Sequence, residues 1–237
     1  MKNFTLYIFV FCVFLFYSQF SKGAPNIIII LTDDLGWGDV SYNGGPISTP
    51  NIDKLSNNGV QMNRFYSAPT CSPTRAALLT GINSLAVGVI RPIDNPTADR
   101  YGLPLKYKIM PQFFKDAGYQ TALSGKWHLG MFSDEYLPRN RGFDSTYGHL
   151  GGGIGYFDHA VAGRMDWHRN GEILYEDGYS TTLIADEAIR IIKNKSKESP
   201  LFLYVAFNAP HTPIEAEESS IKAVSYTHLT LPTNREV

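Results

Sequence analysis

The chain has 237 residues, of which 43% are hydrophobic and 18% are charged, and its formal net charge is -1. This composition is typical of a globular protein with a sizeable core, and it excludes the strongly basic surface expected of a nucleic-acid-binding protein. The length permits one large domain or two small ones, and no internal repeat or low-complexity linker divides the sequence.

An apolar segment opens the chain. The run from Phe4 to Phe20 is rich in Phe, Ile, Val and Leu, and the small residues Ser21 and Gly23 follow it. This pattern predicts a secretory signal peptide over residues 1–23, with a retained membrane anchor as the alternative because the run approaches the length that spans a bilayer. Cleavage would remove Cys12 and would direct the mature protein into the secretory pathway.

The next predicted element is a strand that ends in two carboxylates. Residues 26–31 read Asn-Ile-Ile-Ile-Ile-Leu, an unbroken run that favours a central strand buried on both faces. Asp33 and Asp34 follow, where ligand sites of open α/β sheets gather, and adjacent carboxylates repel unless a cation lies between them. They predict a divalent metal site with calcium or magnesium favoured over zinc, whereas an Asp pair in an ordinary turn is the alternative.

A helix and a strand are predicted to lead to the only cysteine left after signal cleavage. The helix begins at the cap Thr49 and ends before Gly59, and residues 60–66 alternate as a strand. Residues 68–81 read Ala-Pro-Thr-Cys-Ser-Pro-Thr-Arg-Ala-Ala-Leu-Leu-Thr-Gly, which places Cys71 at the start of a short helix, where free N–H groups favour an anion. An unpaired thiol is prone to oxidation, so Cys71 is either chemically modified or buried as a small hydrophobe.

Residues 88–107 are rich in Pro, Asp and Asn, which predicts a surface loop. Its charged side chains are predicted to be solvated, namely Arg91, Asp94 and Arg100. A helix over residues 109–117 is expected to follow, and a glycine ends it.

Lys126 and His128 follow the predicted strand 119–124, within the segment Gly-Lys-Trp-His-Leu-Gly. Two residues apart in an extended segment, they are expected to project to the same side. A cation and an imidazole at the end of a strand suit an anionic substrate, because the lysine can neutralise oxygens and the histidine can move protons. An ordinary exposed Lys and His pair is the alternative.

A hairpin and an amphipathic helix are predicted next. An Asn-Gly pair lies between alternating segments in residues 166–176, which is a strong hairpin signal. The helix covers residues 180–193, with Ser180 or Thr181 as its cap. Asn194 then begins an Asn-Lys-Ser sequon, a candidate glycosylation site.

A second buried strand, residues 201–207, leads to the loop Asn-Ala-Pro-His-Thr-Pro. His211 is held between two prolines on this stiff loop, and a merely structural histidine is the alternative. Three predicted strands thus each end in polar residues, which predicts one shared site at their carboxyl ends.

Together these segments resemble the sulfatase family. Cys-Ser-Pro-Thr-Arg followed by Leu-Leu-Thr-Gly resembles the signature Cys-x-Pro-x-Arg, with Thr74 where the family usually has Ser. The Asp pair followed by Gly-Trp-Gly-Asp, the segment Gly-Lys-Trp-His-Leu-Gly and the segment Ala-Pro-His-Thr-Pro resemble its other motifs. The resemblance covers residues 25–213 and implies an alkaline-phosphatase-like α/β sandwich, one calcium ion and oxidation of Cys71 to formylglycine by a formylglycine-generating enzyme. The motifs look closest to the arylsulfatase B type, which acts on sulfated glycosaminoglycans.

The resemblance also implies roles for the site residues. The implied metal ligands are Asp33, Asp34 and the modified Cys71. The implied catalytic residues are Cys71, Arg75, Lys126, His128 and His211. Hydrated formylglycine would attack sulfur, Lys126 and His211 would stabilise the departing charge, and His128 would take the proton that lets sulfate leave. Arg75 would hold the formylglycine in place.

In the family, the glycine-rich region after the second motif shapes the substrate pocket. Its four candidates for the pocket rim are Arg139, Arg141, His149 and His159. The alternative is that these side chains simply face solvent. The implied location is lysosomal or extracellular.

Residues 24–222 are predicted to be an incomplete N-terminal catalytic domain. Family members supply a second metal-ligand pair, Asp and Asn, and another lysine further downstream, so the chain alone is predicted to be inactive. Residues 223–237 are predicted to be a non-native tail, because they resemble translated sequencing-adapter sequence. The alternative functions are a phosphoester hydrolase of the same superfold and an inactive secreted binder of sulfated glycans.

Overall fold

A computed structural model describes residues 23–94 and 102–228, with side chains up to residue 224 in the last helix. The predicted signal peptide, apart from Gly23, lies outside these residues. The strands are β1 (Ile27–Asp33), β2 (Gln120–Gly125), β3 (Ser145–Gly148), β4 (Ala160–Val161), β5 (Arg164–Met165), β6 (His168–Arg169), β7 (Glu172–Ile173) and β8 (Leu201–Pro210). The α-helices are α1 (Pro50–Asn58), α2 (Cys71–Thr80), α3 (Ser84–Val87), α4 (Met110–Asp116), α5 (Ser180–Asn194) and α6 (Glu218–His228). Short 3-10 helices cover Trp37–Asp39, Ser41–Asn43, Asp134–Tyr136 and Pro138–Arg141.

The main sheet has the strand order β1-β8-β2-β3-β6-β7. Its first four strands are parallel, whereas β6 and β7 form a hairpin that pairs antiparallel with β3. Strands β4 and β5 form a separate two-stranded hairpin. The predicted α/β class with a mostly parallel central sheet is confirmed.

Strand β8 is the centre of the core because its two faces belong to two different hydrophobic clusters. Phe202 and Tyr204 pack in a cluster that includes Ala76 of α2. Leu203, on the opposite face, packs in a cluster that includes Ile184 of α5. Helices therefore cover both faces of the sheet, as expected for parallel strands joined by crossover connections.

Strand β1 corrects one prediction. It was expected to be central and buried on both faces, but it lies at the edge of the sheet and pairs only with β8 among the described residues. Its burial alternates, and Ile28 and Ile30 are 44% and 61% exposed. An apolar run does not specify whether neighbouring elements cover both of its faces.

Other local predictions are also wrong. Residues 60–66 form no strand, and Val60 is 89% exposed. Thr49 occupies the N-cap position of α1 as predicted, but its side chain makes no capping bond and contacts Asp53 and Ser41 instead. Tyr179, rather than Ser180 or Thr181, occupies the N-cap position of α5.

Several boundaries are confirmed. Helix α2 begins at Cys71 and is closed by Gly81 in a left-handed conformation. The Asn-Gly pair forms the β6–β7 turn. Asn170 and Gly171 have φ of 55° and 92°, and a two-residue hairpin turn of this kind requires a positive φ at both positions. Helix α5 follows its predicted range within one residue.

The last helix, α6, runs across the predicted boundary between residues 222 and 223. The assignment of residues 223–237 to a non-native tail stays a prediction. Within residues 23–94 and 102–228, none of the helices is both long enough and apolar enough to cross a bilayer.

We predict that Gly125→Ala destabilises the fold by more than about 4 kcal/mol. Gly125 has a φ of 114°, and a Cβ there would lie 1.9 Å from the carbonyl oxygen of Ala206, so β2 and β8 would have to separate. The free energy of unfolding, measured with urea, tests this expectation.

Gly163→Ala is the matched control for this prediction. Gly163 also has a positive φ, of 74°, but open space surrounds the position of its Cβ. The Gly163→Ala variant should therefore lose only about 1 kcal/mol of the free energy of unfolding, which is the cost of placing an alanine at a positive φ. Equal losses in the two variants would show that the close approach of the strands is unimportant.

Candidate active site

The carboxyl ends of β1, β2 and β8 meet at one edge of the sheet, and α2 begins beside them. Strand β1 ends at Asp33, Lys126 follows β2 and His211 follows β8. A cleft of about 1220 Å³ opens at this edge, and Cys71, His128 and His211 line it. The structure thus brings the residues predicted from separate strand ends into one region, as parallel strands require.

A buried ionic cluster lies beneath the cleft. The Lys126 ammonium, 0% exposed, pairs with the carboxylate of Asp33 and also donates to the carbonyl of Gly152. Arg75 Nη2 lies 3.5 Å from Asp33 Oδ2. Arg75 Nη1 donates to the Lys126 carbonyl at 2.9 Å and to the Tyr204 hydroxyl at 3.3 Å. The cluster therefore joins α2 to β1, β2 and β8.

This cluster has more positive than negative charge. Two cations, Lys126 and Arg75, share the single carboxylate of Asp33. Burial and the charge of Arg75 lower the pKa of Lys126, and Asp33 opposes that shift. The Nε of Arg75 is buried without a hydrogen-bond partner among the described residues. Such a surplus of buried positive charge favours an anion in the adjoining cleft.

Cys71 is the first residue of α2 and is half-buried, with its side chain in the cleft. Burial alone would raise the pKa of its thiol. The neighbouring His128 imidazole, together with the charge of Lys126, outweighs burial and holds that pKa below its ordinary value. The environment at residue 71 therefore stabilises negative charge on a nucleophile.

His128 is held by its backbone and its ring. Its φ is 56°, so the predicted extended geometry of residues 126–128 is wrong. Its amide donates to the Leu150 carbonyl at 3.0 Å, and its own carbonyl accepts from Ser72 Oγ at 2.8 Å. Its Nε2 lies 2.7 Å from Asp94 Oδ1. Burial lowers the pKa of His128, but Asp94 and Cys71 raise it by more than burial lowers it. The pKa of His128 is therefore above its ordinary value.

His211 lines the same cleft and lies near Asp34. Its Nδ1 donates to the Thr212 carbonyl at 2.6 Å, which leaves Nε2 as the free ring nitrogen. That Nε2 lies 3.8 Å from Asp34 Oδ2. The ring therefore directs an uncommitted nitrogen toward the end of β1.

Asp33 and Asp34 fit part of a calcium site. Both present carboxylate oxygens, the ligand type that calcium prefers, at consecutive positions where β1 ends. Calcium takes at least six oxygens, and no group of three or more His, Cys, Asp or Glu side chains in residues 23–94 and 102–228 is arranged to hold a metal. Asp33 is also engaged by Lys126 and Arg75 through Oδ2, whereas Asp34 lies near the His211 ring.

The sequence analysis assigned the glycine-rich region to the substrate pocket, but it did not predict that the loop of residues 151–153 packs against the candidate catalytic histidines. An added Cβ at Gly152 would lie 2.8 Å from Asp94 Oδ1 and 2.9 Å from His128 Cε1, and one at Gly153 would lie 3.0 Å from His211 Cε1. The Asp166 carboxylate accepts hydrogen bonds from the amides of Leu150 and Gly151, at 3.0 and 2.7 Å, and anchors this loop. The run of three glycines was the signal that could have indicated such a close approach.

Asp94 corrects another prediction, since its carboxylate binds His128 and is not merely solvated. No motif or periodicity in the sequence marked it. Arg91 is exposed as predicted, whereas Arg100 lies outside the described residues.

The four rim candidates do not line the cleft. His149 and His159 are each 1% exposed, and His159 stacks on Trp167. Arg141 is buried and donates to two backbone carbonyls. Arg139 is exposed and donates to the carbonyl of Asn170. Three of the four are therefore interior residues, which contradicts both the rim and the solvent-facing interpretation for them.

Comparison with known proteins identifies relatives of this chain. The Sulfatase family model matches residues 25–234. The chain is 38% identical over 201 residues to arylsulfatase J of Mus musculus, 37% over 211 residues to an arylsulfatase of Klebsiella aerogenes and 34% over 214 residues to N-acetylgalactosamine-6-sulfatase of Homo sapiens. These alignments cover 81%, 84% and 82% of this chain, but only 33%, 45% and 41% of the relatives.

Solved structures of similar fold include Ps i-CgsB in complex with k-i-k-neocarrahexaose, with a TM-score of 0.76 and 36% identity. That match covers 85% of this chain and 48% of the other. BT4656 in complex with its substrate D-glucosamine-2-N,6-O-disulfate has a TM-score of 0.70 and 30% identity, over 86% of this chain and 38% of the other. The fold is alkaline-phosphatase-like, as the resemblance implied.

We predict that Lys126→Met lowers the free energy of unfolding by about 3–5 kcal/mol, because it leaves the Asp33 carboxylate buried without its main partner. Chemical denaturation with urea measures this loss.

Lys108→Met is the matched control. It breaks the Lys108–Asp116 pair, whose side chains are 42% and 66% exposed, and should cost less than about 1 kcal/mol. A similar small loss for Lys126→Met would mean that the buried pair does not hold the strand ends together.

Proposed function

The chain belongs to the sulfatase family, and from the arrangement of its cleft we propose that it forms the catalytic core of a sulfuric ester hydrolase. The observation that carries the proposal is the position of Cys71 at the start of α2, in contact with His128 and close to the buried cations Arg75 and Lys126. This surplus of positive charge suits a sulfate ester, whose oxygens are negatively charged.

The proposed nucleophile is a formylglycine made from Cys71 by a formylglycine-generating enzyme. Cys71 forms no disulfide within the part of the chain that the structure describes, and Pro73 and Arg75 follow it at the spacing of the signature. As its hydrate, formylglycine supplies two hydroxyl groups, one to receive the sulfuryl group and one whose deprotonation releases sulfate. Serine would lack the second hydroxyl and would keep the sulfate as a stable ester.

The chain's own residues supply the charges and the proton transfers in this proposal. Lys126 neutralises sulfate oxygens, with Arg75 adding a second positive charge. His211, in its imidazolium form, donates the Nε2 proton to the leaving oxygen and becomes neutral, while its Nδ1 hydrogen stays bonded to the Thr212 carbonyl. His128 takes a proton at residue 71, because its Nδ1 has no hydrogen-bond partner among the described residues.

Asp33 and Asp34 would hold one calcium ion together with the modified residue 71. Bound calcium would polarise the sulfate oxygens and acidify a hydroxyl at residue 71. Because Asp33 and Asp34 supply too few oxygens, we expect the chain alone to bind calcium weakly and to be inactive without further ligands.

The proposed substrates are aryl sulfates or glycosaminoglycan-type sulfate esters. Support comes from the relatives, whose names include arylsulfatase and N-acetylgalactosamine-6-sulfatase, and from the solved complex with D-glucosamine-2-N,6-O-disulfate. Removal of a signal peptide at residues 1–23 would place the protein in a lysosomal or extracellular compartment, and Asn194 at the exposed end of α5 is the proposed glycosylation site.

We expect mass spectrometry of the peptide spanning Cys71 to detect formylglycine when the chain is produced with the modifying enzyme. Arg75→Ala should leave the thiol unconverted, because the enzyme reads Cys-x-Pro-x-Arg. Arg91→Ala, at an exposed arginine outside that signature, is the control and should be converted normally. Only intact thiol in the unsubstituted chain would contradict the assignment.

We also predict that His211→Ala slows hydrolysis of a sugar sulfate far more than that of an activated aryl sulfate. General acid catalysis contributes about 10²–10⁴-fold, and a poor leaving oxygen needs the proton most. The assay uses a longer form of the protein that supplies the downstream ligands, and it compares kcat for the two substrates. Equal loss for both would make His211 a sulfate-binding residue and not an acid.

A further inference from the structure

The contact between Asp94 and His128 has no role in the function proposed so far. Asp94 Oδ1 lies 2.7 Å from His128 Nε2, and the His128 side chain is only 2% exposed while that of Asp94 is 58% exposed. A carboxylate lining a cleft for anions would repel its substrate unless its charge were engaged. In the structure, the charge of the Asp94 carboxylate is engaged by the His128 imidazole.

Ser72 fixes the loop that carries Asp94 against His128. The Ser72 hydroxyl is completely buried, donates to the His128 carbonyl at 2.8 Å and accepts from the Ile93 amide at 3.1 Å. One side chain therefore ties the residue before Asp94 to the backbone of His128. Ser72 stands in the variable position of Cys-x-Pro-x-Arg, so the segment that carries the nucleophile also sets the distance between Asp94 and His128.

The backbone at Gly152 packs against both Asp94 and His128. A Cβ at this position would lie 2.8 Å from Asp94 Oδ1 and 3.0 Å from His128 Nε2. The loop is anchored by Asp166, and the Gly152 carbonyl accepts from Lys126. Backbone thus encloses the imidazole at the nitrogen that Asp94 contacts, whereas the other ring nitrogen, Nδ1, has no hydrogen-bond partner within residues 23–94 and 102–228.

We propose that Asp94 is a positioning residue that fixes the tautomer of His128. Its carboxylate accepts the Nε2 hydrogen, so Nδ1 keeps its lone pair and is the nitrogen that takes a proton at residue 71. The inference rests on the proposed function for its catalytic meaning, but the tautomer itself does not depend on turnover. Asp94 acts through His128 and need not touch the substrate.

The test is nitrogen NMR of the chain labelled with ¹⁵N-histidine. The chain has six histidines, so the long-range proton–nitrogen spectrum is simple, and loss of one set of signals in His128→Ala assigns that residue. At alkaline pH, where the ring is neutral, we expect one protonated nitrogen, Nε2, and one unprotonated nitrogen, Nδ1, for His128. In Asp94→Ala the two nitrogen shifts should converge toward the average of both tautomers.

Two further variants keep the test decisive. Asp94→Asn retains an oxygen that can accept the Nε2 hydrogen and should preserve the tautomer, which separates positioning from charge. Asp158→Ala removes another exposed carboxylate that lines the same cleft and should leave the His128 signals unchanged. A hydrogen on Nδ1 in the unsubstituted chain, or unchanged His128 shifts in Asp94→Ala, would overturn the proposal.

Kinetics of a longer, active form give the second measurement. Misplacement of a catalytic group by about 1 Å can cost about 10²-fold, so Asp94→Ala should lower kcat by that order with little change in KM. If Asp94→Ala shifts the tautomer but no form of the protein hydrolyses sulfate esters, the proposed function fails and the positioning role stands. If the active form loses no kcat in Asp94→Ala, the positioning role is overturned.

Discussion

The buried contact between Asp33 and Lys126 is the constraint on which the site depends. A charge removed from water is tolerable only when it is paired and hydrogen-bonded, so these side chains can be buried only together. Because Asp33 ends β1 and Lys126 follows β2, their pairing sets the ends of two strands that are not neighbours in the sheet. Arg75 extends the constraint to α2 and, through Tyr204, to the central strand β8. The residue that begins α2, Cys71, is placed by the same contacts.

Close backbone packing is the second requirement of the cleft. Gly125 lets β2 approach β8 where the chain turns toward Lys126, and the glycines at 152 and 153 let a loop pass against His128 and His211. His128 itself adopts a left-handed conformation that its backbone bonds to Leu150 and Ser72 maintain. At these positions backbone without a side chain packs against the strands and the histidines, which lets the reactive groups lie close together.

Local sequence signals correctly predicted the elements whose geometry depends only on the residues of the segment itself. Helix α2 closes at Gly81 because a left-handed residue suits glycine, and the β6–β7 turn forms because Asn-Gly tolerates two positive φ values. Sequence signals were less reliable for features that depend on contacts with other parts of the chain. The alternation of residues 60–66 did not produce a strand, because a strand needs a pairing partner that the described residues do not provide. Strand β1 was predicted correctly as a strand but not as an edge strand.

The sequence by itself determined the family resemblance, the mostly parallel α/β class and the set of residues that follow the strand ends, because motifs, hydrophobic runs and chain order are local properties. Only the tertiary structure decided that Asp94 binds His128, that Arg141, His149 and His159 are interior, and that Asp33 pairs with Lys126. These contacts join residues far apart in the chain, and whether a charged side chain meets water or a partner depends on which surfaces folding brings together.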